Sequence, residues 1–183
     1  MIGRLPKSLT IGGEDRPIRS DFRTVLLILE AYADPELSLY DKSRVAVECL
    51  YEEEIPGELW NEAIDKACGF IDGGNTAHSS AGVRVMDWEQ DESLIFPAIN
   101  KVAGREVRTE EYLHWWTFLG YFSEIGEGSF STVVGIRYKQ ARGKPLEKWE
   151  RDYIRDNPER VKLKTRLTDA EEAERQRLNE IFK

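Results

Sequence analysis

Asp87, Glu89 and Asp91 alternate along the chain and bring three carboxylates near one another. Oxygen ligands of this kind hold magnesium or calcium. An EF-hand loop would add a glycine and a terminal glutamate, and neither is present here. Acidic side chains also gather at helix starts, where they meet the positive end of the macrodipole. The trio is therefore expected to open a helix, with Asp87 as N-cap and Gln90 completing a capping box. No metal is assigned to it.

His114 stands directly before Trp115 and Trp116, and beside an acid it would serve as a general base. No serine or cysteine occupies a recognisable nucleophile elbow around it. The other histidine, His78, lies far off in a small polar loop, too remote to suggest a zinc pair. His114 is expected to be structural, hydrogen-bonded to a buried backbone or carboxylate group, and His78 simply solvated. Cys49 and Cys68 fall on apolar stripes and read as small buried hydrophobes. Their separation matches no zinc knuckle, and a reducing compartment is expected. Gly12-Gly13 and Gly126-Glu127-Gly128 are too short to cradle phosphate. With no catalytic constellation, no catalytic residue and no cofactor, the chain reads as a binding or assembly protein rather than an enzyme.

The elements that position these residues are mostly helical. The chain has 183 residues, 40% apolar and 33% charged. That suits one domain with an ordinary core. Ser8-Leu9-Thr10-Ile11, Gly12-Gly13 and Pro17-Ile18 predict a short N-terminal β-hairpin lying on helices. Ser20 is the expected N-cap of a helix carrying Phe22, Val25, Leu26, Leu29 and Tyr32, which Asp34-Pro35 ends. A second helix spans about 39–51, with Val45, Cys49 and Leu50 inward. A third begins after Pro56 with Leu59, Trp60, Ala63, Ile64, Ala67, Cys68 and Ile71 on one face, and Gly73-Gly74 stops it. Residues 73–82 form a polar loop and a candidate joint.

Leu94, Ile95, Ala98, Ile99 and Val102 follow, with Pro97 expected to kink or restart the helix and Gly104 to end it. Thr109 then caps a predicted helix over 110–123. Its Tyr112, Leu113, Trp115, Trp116, Phe118, Leu119, Tyr121 and Phe122 surround most of the circumference. Such a helix is central to the fold or shared with a partner. Its tryptophans are core residues first, yet tryptophan is also enriched at binding hot spots. Trp88, Tyr112, Trp115, Trp116 and Phe122 are therefore the candidate contacts for a protein partner.

A short helix over 131–138, a break at Gly143-Lys144-Pro145 and a charged helix over 146–155 with Trp149, Tyr153 and Ile154 come next. Residues 160–167 alternate charge with Val161, Leu163 and Leu167 and fit a strand or an extended segment. Thr168 with Glu171 is a capping box for a last helix with few apolar positions. The fold class is mainly α, a compact multi-helix domain over 1–142 and a charged helical extension over 143–183.

The net charge of −8 resides entirely before Gly143. Such a surface repels phosphate backbones, so no nucleic acid is expected. Residues 1–7 lack the apolar stretch of a signal peptide, and no run approaches the ~20 apolar residues of a membrane span.

Three stretches carry a resemblance to the bacteriophage gene-product-fifteen family of tailed phages and prophages. They are Ser20-Asp21-Phe22-Arg23 after Leu5-Pro6, then Met86-Asp87-Trp88-Glu89-Gln90-Asp91 with Leu94-Ile95, and Tyr112-Leu113-His114-Trp115-Trp116-Thr117-Phe118-Leu119 with Ile136-Arg137 downstream. The likeness weakens after Thr165. It implies a role in tail morphogenesis, because genes of this family usually lie between those of the major tail protein and the tape-measure protein. That is the usual place of a tail assembly chaperone. The implied partner is the tape-measure protein, with a second tail chaperone and a homo-oligomer as further options. The implied location is the cytoplasm of the infected or lysogenic bacterial host. The alternative is a minor structural tail component, a completion or connector protein kept in the virion; an enzyme is the third reading.

Overall fold

Gly12 and Gly13 have φ of 59° and 81°, the sign a two-residue type I′ turn requires at both positions. They join strand β1 (Ser8–Ile11) to β2 (Glu14–Pro17) in an antiparallel hairpin with Ile11 opposite Glu14. As expected, the hairpin lies on helices: Ile11 is buried, and the Gly12 N–H donates to Glu62 at 3.0 Å. The computed structural model describes residues 3–75 and 82–181. His78 and the centre of the predicted joint at 73–82 lie outside them.

The architecture is mainly α. Helices α1 (Phe22–Ala33), α2 (Leu39–Leu50) and α3 (Trp60–Ile71) pack in succession. Then α4 (Glu92–Ala103), α5 (Trp115–Ser123) and α6 (Ser129–Ala141) complete the body, with α5 also against α1. The chain ends in α7 (Lys148–Asp156), the one-turn α8 (Pro158–Val161), and α9 (Asp169–Ile181). No described helix is long and apolar enough to cross a membrane.

Local signals set several boundaries as read from the sequence. Thr168 and Glu171 form the expected capping box on α9, and Ser38 and Asp41 form a further, unpredicted one on α2, each satisfying backbone donors that the helix itself cannot. Gly73 and Gly74 close α3, as glycines do after a last helical turn. The Gly74 N–H reaches back to the Gly69 carbonyl at 2.8 Å. Gly74 has a φ of 81°, and a Cβ there would lie 3.1 Å from the Trp116 ring. Both backbone and space therefore require glycine. Gly104 ends α4 in the left-handed region.

Other boundaries differ. Asp21, not Ser20, caps α1, its carboxylate accepting from the Arg23 N–H at 3.0 Å. Asp87 caps only the turn before α4, taking the Glu89 and Gln90 N–H groups; α4 starts at Glu92, and the Gln90 side chain points elsewhere. Pro97 neither breaks nor restarts α4, which runs through it on an exposed face. There water can satisfy the carbonyl that the proline leaves without a donor. Thr109 ends a 3₁₀ turn, and α5 begins only at Trp115 because residues 110–114 are extended alongside Asp21. Helix α6 is longer than predicted, and of residues 160–167 the first two complete α8. Ala46 and Val47 bury deeper than Val45, Phe70 joins the α3 core face, and Cys68 is exposed rather than buried.

Candidate functional site

The aromatic segment is fixed by long-range hydrogen bonds to the start of the chain. The Trp115 N–H donates to the Ser20 carbonyl at 2.8 Å, and the Leu113 N–H to the Asp21 carboxylate at 2.9 Å. Arg23 donates to the Arg108 and Glu110 carbonyls at 3.1 and 2.7 Å. The Phe22 ring stacks on Phe118 at 4.6 Å. The stretches that stand out in the sequence thus bind one another.

His114 is the N-cap of α5. Its Nδ1 accepts from the Trp116 N–H at 3.0 Å, so Nε2 carries the proton and donates to the Pro6 carbonyl at 2.8 Å. This is the structural role expected for it. Burial lowers its pKa, partly opposed by the Pro6 carbonyl and reinforced by Lys7, so the ring is neutral at pH 7.

Both indoles on α5 finish α3. Trp115 Nε1 donates to the Ile71 carbonyl at 2.8 Å and Trp116 Nε1 to the Phe70 carbonyl at 2.9 Å. These carbonyls belong to the last turn of a helix, beyond its regular hydrogen-bond ladder; that of Phe70 also accepts from the Gly73 N–H at 3.1 Å. The ring faces then border a groove of about 720 Å³. Leu5, Leu29, Ile71, Trp88, Trp116 and Leu119 give it an apolar lining, and Gly120 opens one wall. Asp72, Asn75 and Ser123 are polar lining residues. Among the described residues, a Cβ at Gly120 would meet nothing within 4 Å.

Of the five candidate contacts, Trp88, Trp115 and Trp116 come together at this groove. Trp115 is only 1% exposed and belongs chiefly to the core. Phe122 supports Trp88 from outside the groove lining, its ring centre 5.0 Å away, and rests on Phe130. Tyr112 is not part of the groove: its hydroxyl lies 2.8 Å from Ser20 Oγ, and Lys7 sits over its ring. Leu5, Leu29 and Gly120 were missed, because folding alone brings the N-terminus, α1 and α5 to one place.

Each member of the acidic trio pairs with arginine. Asp91 and Arg137 form a two-pronged pair at 2.6 and 2.9 Å, with side chains 2% and 4% exposed. Arg137 also donates to the Val85, Arg160 and Val161 carbonyls. Asp87 pairs with Arg84 and Arg166, and Glu89 with Arg166. Burial would raise the Asp87 pKa, but Arg166, the Gln90 N–H and Arg84 outweigh it and hold the group at about 2. Among the described residues no three His, Cys, Asp or Glu are grouped to hold a metal ion.

These ionisations set an expected acid response. The folded state binds fewer protons than the unfolded chain at both His114 and Asp87, so stability falls as pH drops. Loss begins below about pH 6.5, the ordinary histidine value, as the His114 cap is opposed by protonation. A second loss runs from about pH 4, the ordinary aspartate range, down through about 2 at Asp87. Thermal unfolding midpoints between pH 8 and pH 3 check this; His114→Asn should flatten the upper limb and leave the lower one.

No curated protein and no solved structure matches the chain. A family model described as Bacteriophage Gp15 protein matches residues 1–163.

Proposed function

The chain belongs to the bacteriophage Gp15 protein family, and from that premise we propose that it serves tail morphogenesis as a chaperone that binds the tape-measure protein. It is a phage-associated protein by family; the chaperone role is our reading of the site. The observation behind it is the open apolar groove bordered by Trp88, Trp116 and Leu119. A tape-measure protein is a long helical chain with an apolar stripe, which a soluble partner must cover reversibly before the tail tube polymerises. Helix-in-groove docking does this through a few large anchors. The net charge of −8 favours solubility of the complex. The role is one of binding, with no chemistry at the site.

Co-expression with the neighbouring tape-measure protein, followed by pull-down and measurement of its soluble fraction, tests the reading. Association and a gain in solubility are expected, as is absence of the chain from mature particles by mass spectrometry. No association, or a small fixed copy number in the virion, overturns it, the latter in favour of a tail completion protein. Gly120→Phe separates docking from folding. Gly120 is exposed and, among the described residues, a Cβ there meets nothing within 4 Å, so the fold should hold. Capture should weaken by about 2 kcal/mol or roughly thirtyfold, the scale of a blocked hot spot.

A further inference from the structure

Beyond α8 the chain runs over residues 162–168 across the turn at 87–90, with Leu163 and Leu167 half-buried and polar contacts fixing its main chain. The Gln90 carboxamide takes the two main-chain groups that flank Leu163. Its Nε2 donates to the Lys162 carbonyl at 2.8 Å, and its Oε1 accepts from the Lys164 N–H at 2.9 Å. Arg84 donates to the Lys164 carbonyl at 3.1 Å. Arg166 then closes on Asp87 and on Glu89, each at 3.1 Å. A side-chain amide standing in for a neighbouring strand, with a charged anchor nearby, is how proteins grip an extended peptide.

The two ends of this segment differ sharply. Val161, at its root, is 2% exposed, and its carbonyl and that of Arg160 are held by Arg137 at 2.8 and 2.6 Å. At its far end α9 begins, tied to the body where the Asp169 N–H meets Glu36 at 2.5 Å. The described side chains of α9 are exposed. A firm root, a polar middle and an exposed terminal helix make a hinged arm.

We infer that residues 162–181 form a latched arm, seated like a bound peptide on the turn at 87–90 and released as a unit from Val161 while the rest of the fold stays intact. Ionic strength is the natural trigger at the outer contact, because Arg166 is 22% and Glu89 69% exposed while Asp87 is only 5% exposed, and charges in contact with solvent are the ones salt screens. The latch operates whatever fills the tryptophan groove.

Residue-resolved amide exchange on the full chain tests the latch. Arg166→Gln, or about 1 M salt, where the Debye length falls to ~3 Å, should speed exchange at the Lys164 amide about tenfold or more. The Trp115 amide, bonded to Ser20 at 2.8 Å, should keep its protection in both cases. The inference fails if Lys164 stays as protected as in the wild type at low salt. It also fails if Lys164 and Trp115 lose protection together, which would mean global opening.

Discussion

Arg137→Ala is expected to cost about 3–5 kcal/mol of folding free energy, because it strands a buried carboxylate. Among the described residues Asp91 has no other cation in contact, and its second role, accepting the Asp87 N–H at 2.9 Å, does not neutralise it. The same substitution strips the Val85, Arg160 and Val161 carbonyls of their donor. Urea unfolding followed by tryptophan fluorescence measures the loss. A double variant, Asp91→Leu with Arg137→Met, sharpens the argument. Replacing an isolated buried ion pair by apolar groups is often neutral or stabilising. Here the three carbonyls stay unpaired, each at about 1–3 kcal/mol where water cannot reach. The double variant should therefore remain at least about 2 kcal/mol below the wild type. Full recovery would show that Arg137 matters only through its partner carboxylate.

Trp115→Ala should be comparably damaging, at about 3–5 kcal/mol, the usual range for emptying a buried tryptophan site. The ring stacks on Phe118 at 5.7 Å and meets Trp88 edge-on at 6.4 Å, so its loss opens a cavity where α3, α5 and the 87–90 turn converge. Trp115→Phe keeps much of that volume and loses the N–H to Ile71, and about 1 kcal/mol is expected for the hydrogen bond. Trp116→Ala, at a partly exposed position, should cost less stability than Trp115→Ala but weaken partner capture more. Paired melting and pull-down measurements on the two alanine variants check this crossing of effects. If both variants lose stability and capture in parallel, the groove has no separate role.

Features governed by near neighbours were legible in the sequence. The capping box at Thr168, the glycine stops after α3 and α4, and the hairpin turn each depend on a few adjacent residues. What escaped depends on distant partners. Thr109 looks like a helix cap, yet the Asp21 carboxylate holds Leu113 in an extended stretch, so His114 caps α5 instead. Arg19, Arg23 and Arg137 each bind main-chain carbonyls of segments remote in sequence, which no local pattern announces. Cys68 sits on an apolar stripe by spacing, but it ends on an exposed face beside the Tyr32 hydroxyl rather than in the core. The tryptophans announced themselves by type. Only the fold shows which of their edges is left open, because that depends on Leu5, Leu29 and Gly120 arriving from three places.

The inward hydrogen bonds of Trp115 and Trp116 have a consequence for recognition. Each indole has a single polar atom, and both are already satisfied by carbonyls of α3. Trp116 therefore offers an occupant ring carbons and π density but no directed donor, and leucine flanks behave alike. Contacts of that sort are governed by shape and apolar area rather than by a hydrogen-bond code. The directed groups of the groove are Asp72, Asn75 and Ser123 on its polar side. On the proposed chaperone reading, the tryptophan and leucine wall takes any helix that presents a sufficient apolar stripe and leaves that helix's sequence free to drift so long as the stripe persists.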